Sequence, residues 1–161
     1  MRAKPPIAPK TVLPAGSPGI DGDPGPASVD LEVRDLAAVR ADVLETFVYE
    51  YAGSPAVVEI DTDEFTAVCP WSGLPDFGRL VVRYLPKTRV LELRSLKYYL
   101  LSYRSVGIFQ EHAANRILDD LVRACEPVWM ELELDYRVRG GIHTVVRARR
   151  PAPPPSADPA S

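Results

Sequence analysis

Met130-Glu131-Leu132-Glu133-Leu134-Asp135-Tyr136-Arg137-Val138-Arg139 alternates apolar and charged side chains and then breaks at Gly140-Gly141. A period of two is that of an extended chain, so the stretch predicts a strand from Met130 to Val138 with one buried and one wet face. The glycine pair supplies the turn, and Ile142 to Arg149 returns as the second arm of a C-terminal hairpin. Immediately upstream the period changes. Phe109, Ala113, Ile117 and Leu121 recur every fourth residue, with Leu118, Val122 and Cys125 on the same broad face. That predicts a long helix from Ile108 to Cys125, closed by Pro127. Ser95 to Tyr103 carries Leu96, Tyr99, Leu100 and Tyr103 at helical spacing and predicts a first helix. Further back, Ala56 to Asp61 and Arg79 to Leu85 are β-branched and apolar enough for two strands. Arg89 to Glu92 adds a short extended piece, and Asp35 to Val39 a helical turn. Two strands, two helices and two strands imply an α+β domain, an antiparallel four-stranded sheet with two helices on one face. Such a sheet leaves two open edges, which neighbouring copies commonly cover, so an oligomer is expected.

The chain has 161 residues, 46% hydrophobic and 25% charged, which suits one domain with a real core. Its 17 prolines crowd into the two ends. Residues 1–28 carry Gly16, Gly19, Gly22 and Gly25 at every third position, too few triplets for a collagen helix. They read as a disordered Pro/Gly-rich tail, residues 151–161 as a second Pro-rich tail, and residues 29–150 as the folded domain. A net charge of -3 gives no electrostatic case for a nucleic-acid binder. Arg147, Arg149 and Arg150 read as a solvated strand end. The start has no apolar signal region and no run reaches membrane-spanning length, and Cys69 and Cys125 form no disulfide framework. A cytoplasmic protein without a membrane partner is the expectation.

Chemistry concentrates in Phe65-Thr66-Ala67-Val68-Cys69-Pro70-Trp71-Ser72-Gly73-Leu74-Pro75-Asp76-Phe77-Gly78. Pro70 and Pro75 fix φ and remove donors, and Gly73 and Gly78 permit tight turns, so a strand ends at Cys69. Asp76 is then able to fold back toward the thiol. A cysteine beside a proton carrier suits attack on an electrophilic carbon, with the acid protonating the atom that gains charge. Residue type alone leaves the other reading open, a cysteine packed as a small hydrophobe; Cys125, on the apolar helix face, takes that reading. Glu111 sits where an acid favours the helix dipole, and Arg94 and Lys97 flank a helix start as an ordinary solvated face would. His112 and His143 have no ligand spacing that argues for a metal. Asp76-Phe77-Gly78 spells a kinase motif without its companions, and no dinucleotide-binding fingerprint is present.

Taken together, Leu44-Glu45-Thr46-Phe47, the Phe65–Gly78 loop, Glu92-Leu93-Arg94-Ser95-Leu96-Lys97-Tyr98-Tyr99-Leu100, Phe109-Gln110-Glu111 and Arg139-Gly140-Gly141-Ile142 resemble the QueF family. These are NADPH-dependent 7-cyano-7-deazaguanine reductases of queuosine biosynthesis, and the likeness is to the short, single-module type, over about residues 44–143. The resemblance implies the tunnelling fold shared with GTP cyclohydrolase I, with homo-oligomeric rings and sites between subunits. It implies Cys69 as the nucleophile that forms a thioimide with the nitrile and Asp76 as the proton donor. Leu91, Glu92, Leu93, Gln110 and Glu111 fall at substrate-binding positions, a carboxylate suiting the paired N–H donors of a guanine-like edge. Arg94, Ser95, Lys97 and Arg139 fall at NADPH-binding positions, where cations meet phosphates. No metal is implied. Two positions depart from the family pattern: Gln110 stands where histidine is usual, and Arg94 where lysine is usual. Two other readings remain, a QueF-like amidinotransferase of archaeal tRNA modification and a non-catalytic deazaguanine-binding paralogue. The first keeps the cysteine and aspartate but lacks the NADPH motif.

Overall fold

The computed structural model describes residues 32–53 and 56–151, so both expected tails, Pro151 apart, lie outside the described residues. The main sheet has four antiparallel strands in the order β2-β3-β5-β6. They are β2, Val58–Val68, β3, Pro75–Leu85, β5, Trp129–Tyr136, and β6, Val145–Arg150. A second, two-stranded antiparallel sheet joins β1, Thr46–Val48, to β4, Arg89–Leu91. The helices α1, Leu93–Leu101, and α2, Gln110–Cys125, lie between β4 and β5 in the chain. The fold is α+β, with antiparallel sheets and few helices. Two short 3-10 turns, Leu36–Ala38 and Ala41–Val43, precede β1.

Alternation along β5 sends Met130, Leu132, Leu134 and Tyr136 to the helix side, where each is essentially fully buried. Ala113, Ala114, Ile117, Leu118, Leu121 and Cys125 of α2 pack into the same core as Leu96, Tyr99 and Leu100 of α1. The opposite face is wet and laced with ion pairs. Arg79 meets Asp61, Arg83 meets Glu59 and Arg147 meets Glu133, each across neighbouring strands.

Several boundaries differ from expectation, β5 stopping at Tyr136, β6 starting at Val145 and α2 at Gln110 among them, and three further differences have a clear physical reason. Strand β2 runs on to Val68 because a register shift between Thr62 and Phe65 absorbs the exposed pair Asp63 and Glu64. That bulge flips the side-chain parity, so Phe65 and Ala67 face the core where even-numbered residues did before it. Strand β3 begins at Pro75, an end position where its missing N–H costs little, which leaves only residues 69–74 as the loop. Helix α1 starts at Leu93 because Glu92 caps it, accepting the Arg94 and Ser95 N–H groups at 2.9 and 2.6 Å. Arg94, Ser95 and Lys97 are therefore helical. Helix α2 stops at Cys125 with Glu126 in the left-handed region (φ 44) ahead of Pro127.

Candidate active site

The loop after β2 closes on itself: Cys69 N–H donates to the Leu74 carbonyl and Gly73 N–H to the Cys69 carbonyl, both at 2.9 Å. Gly73 takes φ 68, which a side chain would resist. On the other flank, Val68 N–H donates to Val106 and Ile108 N–H to Val68, each at 3.0 Å. The end of β2 is thus held between β3 and the segment that leads into α2. That arrangement brings Gln110 and Glu111, in the first turn of α2, to the cleft that holds Cys69.

Asp76 lies on the helix-side face of β3 opposite Ala67, whose small side chain leaves it room, and is only 7% exposed. Arg139 arrives from the turn after β5. Gly140 and Gly141 take φ 60 and 79, as a tight hairpin turn requires, and Arg139 and Ile142 exchange backbone hydrogen bonds at 3.1 Å. The Arg139 Nη1 donates to Asp76 Oδ1 at 2.6 Å. Cys69, Asp76, Gln110, Glu111 and Arg139 therefore line one cleft of about 470 Å³, a size that suits a small heterocycle.

Burial pushes the Cys69 thiol up. Hydrogen bonds from the Ser72 hydroxyl, the Arg139 guanidinium and the backbone N–H groups of Ser72 and Trp71 outweigh it and bring the thiol from an ordinary 9.0 to about 7. A large thiolate fraction is present at neutral pH, as a nucleophile needs. Tyr136, behind Asp76 on β5, is held well above the usual phenol range by burial and then by the charges of Asp76 and Glu111. It stays a neutral hydroxyl. Cys125 is fully buried, and desolvation pushes it up to about 11, in keeping with a packed core thiol.

Several cleft residues were not singled out from sequence. Trp71 and Phe109 pack edge to face at 6.2 Å on the rim, and Ile142 and Thr144 close the far side. Trp71 is 80% exposed, and its place beside the cysteine in a loop was the available signal.

The other expected site residues lie apart from this cleft. Leu91, Glu92 and Leu93 line a separate groove with Phe47, Val48 and Tyr51. Leu91 is buried, with its N–H donating to the Tyr84 hydroxyl at 3.1 Å, while Leu93 is 61% exposed. The Glu92 carboxylate is occupied as the α1 cap, and those backbone hydrogen bonds hold it below the usual carboxylate range. Ser95 is buried; its hydroxyl donates to the Glu92 carbonyl at 2.8 Å and accepts from Glu45 N–H at 3.0 Å. Lys97 pairs with Glu64 on β2, and Arg94 is exposed beside it on α1. Among the described residues there is no cluster of His, Cys, Asp and Glu that could hold a metal ion.

Comparison with known proteins gives one consistent answer. Residues 75–155 match the family model described as QueF-like protein. The NADPH-dependent 7-cyano-7-deazaguanine reductase of Caldicellulosiruptor bescii is 56% identical over 118 residues, 73% of this chain and 90% of its own length. The protein of the same name from Chloroherpeton thalassium is 46% identical over 110 residues, 68% of this chain and 95% of its own. Among solved structures, an archaeosine synthase QueF-Like in the apo form superposes with a TM-score of 0.58 at 28% identity, covering 63% of this chain and 99% of that one. A neutral-range thiol and a buried carboxylate stand in one cleft, on a chain that matches QueF proteins over nearly their full length. This chain belongs to the QueF family.

Proposed function

We propose that this chain is an NADPH-dependent nitrile oxidoreductase that reduces 7-cyano-7-deazaguanine to 7-aminomethyl-7-deazaguanine, in queuosine biosynthesis. The observation that carries the reading is the Cys69 thiol, at about 7, sharing a cleft with the buried Asp76 carboxyl. Reductases of that name at 46% and 56% identity support it. The Cys69 sulfur adds to the nitrile carbon, and Asp76 protonates the nitrogen, giving a neutral thioimide. Glu111 receives the paired N–H donors of the deazaguanine edge, and Gln110 adds an amide contact but carries no proton. Leu91, Glu92 and Leu93 complete the substrate pocket.

When bound, NADPH supplies hydride, two equivalents for a nitrile taken to a primary amine. The donor set fits its phosphates at Arg94 and Lys97, exposed cations three residues apart on one helix, with Arg139 as the third cation. It fits less well at Ser95, whose hydroxyl is committed to Glu92 and Glu45; that side chain serves by bracing the helix start.

The two groups of residues lie in separate places on one chain, which supports a site completed between subunits of a homo-oligomer. Exposed Phe47, Val48, Tyr51 and Leu93, beside the open edge of β2, supply the apolar surface such an interface needs. The tunnelling fold accommodates this assembly. No helix among the described residues is long and apolar enough to cross a membrane.

The 28%-identical archaeosine synthase raises the amidinotransferase as a second reading. The cations of α1 favour the reductase. Loss of NADPH absorbance on adding 7-cyano-7-deazaguanine tests it. About two NADPH consumed per nitrile, abolished in Cys69→Ala, is expected; nitrile captured on Cys69 without NADPH consumption would overturn the reductase and move the amidinotransferase ahead.

A further inference from the structure

One guanidinium serves both of the groups that would have to change charge in the first chemical step. Arg139 Nη1 donates to Asp76 Oδ1 at 2.6 Å, and the same guanidinium lines the cleft with Cys69, whose thiol it helps to pull down. Its backbone is fixed by the two-glycine turn, and Asp76 is fixed by its place inside the sheet. The other charged residues lining the cleft are Glu111 at the start of α2 and Arg137 at the end of β5. Arg137 is turned toward the Phe77 ring, 5.9 Å from its centroid. Arg139 is therefore the cation that both Cys69 and Asp76 meet in this cleft.

We propose that Arg139 is a shared counter-ion, a positioning residue that neutralises the single negative charge wherever it resides on the Cys69–Asp76 pair. The inference rests on the reading of Cys69 as nucleophile and Asp76 as acid. Addition proceeds from the form of the pair in which its single proton has passed from the thiol to Asp76, leaving the one negative charge on sulfur. A sulfur lone pair then forms the S–C bond, one π pair of the nitrile becomes a lone pair on nitrogen, and that nitrogen takes the Asp76 proton. The product is a neutral thioimide beside a carboxylate. The pair carries one negative charge before and after, and nothing is oxidised or reduced in this step. The charge has moved from sulfur to oxygen, and a planar guanidinium with several donors can follow it without moving its own carbon. An uncompensated anion at either place in a partly buried site would be costly. This role precedes any contact of Arg139 with cofactor phosphate, so it is measurable without NADPH.

The test is the pH dependence of Cys69 alkylation by iodoacetamide, read by peptide mass mapping of the wild type, Arg139→Gln, Arg139→Lys and Asp76→Asn without substrate or cofactor. Cys125, 0% exposed, stays unlabelled in any variant that folds and is the internal control. Removing the cation in Arg139→Gln should raise the midpoint by about one pH unit, with Arg139→Lys between it and the wild type. Asp76→Asn, which leaves the guanidinium to sulfur alone, should lower it. A wild-type midpoint in Arg139→Gln, equal shifts in Gln and Lys variants, or a rise in Asp76→Asn would overturn the shared role. Should Arg139→Gln expose Cys125, the lysine and asparagine variants decide alone, by the same two directions. Failure of wild-type Cys69 to capture the nitrile is a separate outcome: it would remove the nucleophile reading itself, whatever the midpoints.

Discussion

Four hydrogen-bond donors around Cys69 act against its burial and leave the thiol near 7. Because the folded protein lowers this group's titration, its thiolate is lost as pH falls through 7 and saturates above it. Nitrile capture, followed by intact mass without NADPH, is expected to slow about tenfold per pH unit below 7 and to level off above. A flat profile from acid to neutral pH would show that thiolate supply does not limit addition. Away from the cleft, Asp120 has a side chain with no exposed surface and accepts from Arg116 at 2.8 Å, Arg123 at 2.9 Å and the Tyr99 hydroxyl at 2.9 Å. Tyr103 extends the network through Tyr99 at 2.9 Å. Asp120→Ala takes the carboxylate from the buried Tyr99 hydroxyl, while Arg116 and Arg123 still reach solvent, and should cost about 2 kcal/mol in urea unfolding. A loss below about 1 kcal/mol would mean that water replaces the carboxylate. Cys69 and Asp76 were legible because proline and glycine punctuate the loop between them. Asp120 was not, since its partner Tyr99 belongs to another helix and no periodicity links the two.

Gly78 shows what the elements demand of single positions. A Cβ there would stand 3.0 Å from the Asp135 carbonyl and 3.3 Å from Leu134, so an added side chain would press on β5, which would have to give by a few tenths of an ångström. Gly78→Ala is expected to destabilise by about 1–3 kcal/mol, measured as a lower urea midpoint, and to slow nitrile capture because Asp76 sits two residues away. Unchanged stability would show that the strands can part locally. The four-stranded sheet and both helices were readable because their periods are strong: Leu132 and Leu134 alternate with Glu131 and Glu133, and Ile117 and Leu121 repeat at four. The extension of β2 was hidden, because Asp63 and Glu64 break the alternation and a bulge restores it in opposite phase. Pairing of Thr46–Val48 with Arg89–Leu91 was equally hidden, since three-residue strands carry too few positions to show a period.

At the scale of the whole molecule, the proposed assembly makes a prediction distant from the chemistry. Phe47 is 55% exposed on β1 and lines the groove of Leu91–Leu93, apart from the Cys69 cleft. Phe47→Arg is expected to lower the sedimenting mass and to reduce NADPH consumption at least tenfold while the isolated chain still folds. An assembled, fully active variant would place the interface elsewhere. No single-chain pattern could reveal that the expected site residues divide between two regions, because spacing along a sequence carries no record of which copy faces which. Finally, the two hydrogen bonds that join Val68 to Val106 and Ile108 run between main-chain atoms alone. They act as a spacer that no side-chain substitution other than proline deletes. The gap between the sulfur and the start of α2 is thereby uncoupled from what the neighbouring positions display. Evolution can retune the contents of the pocket while its width stays constant.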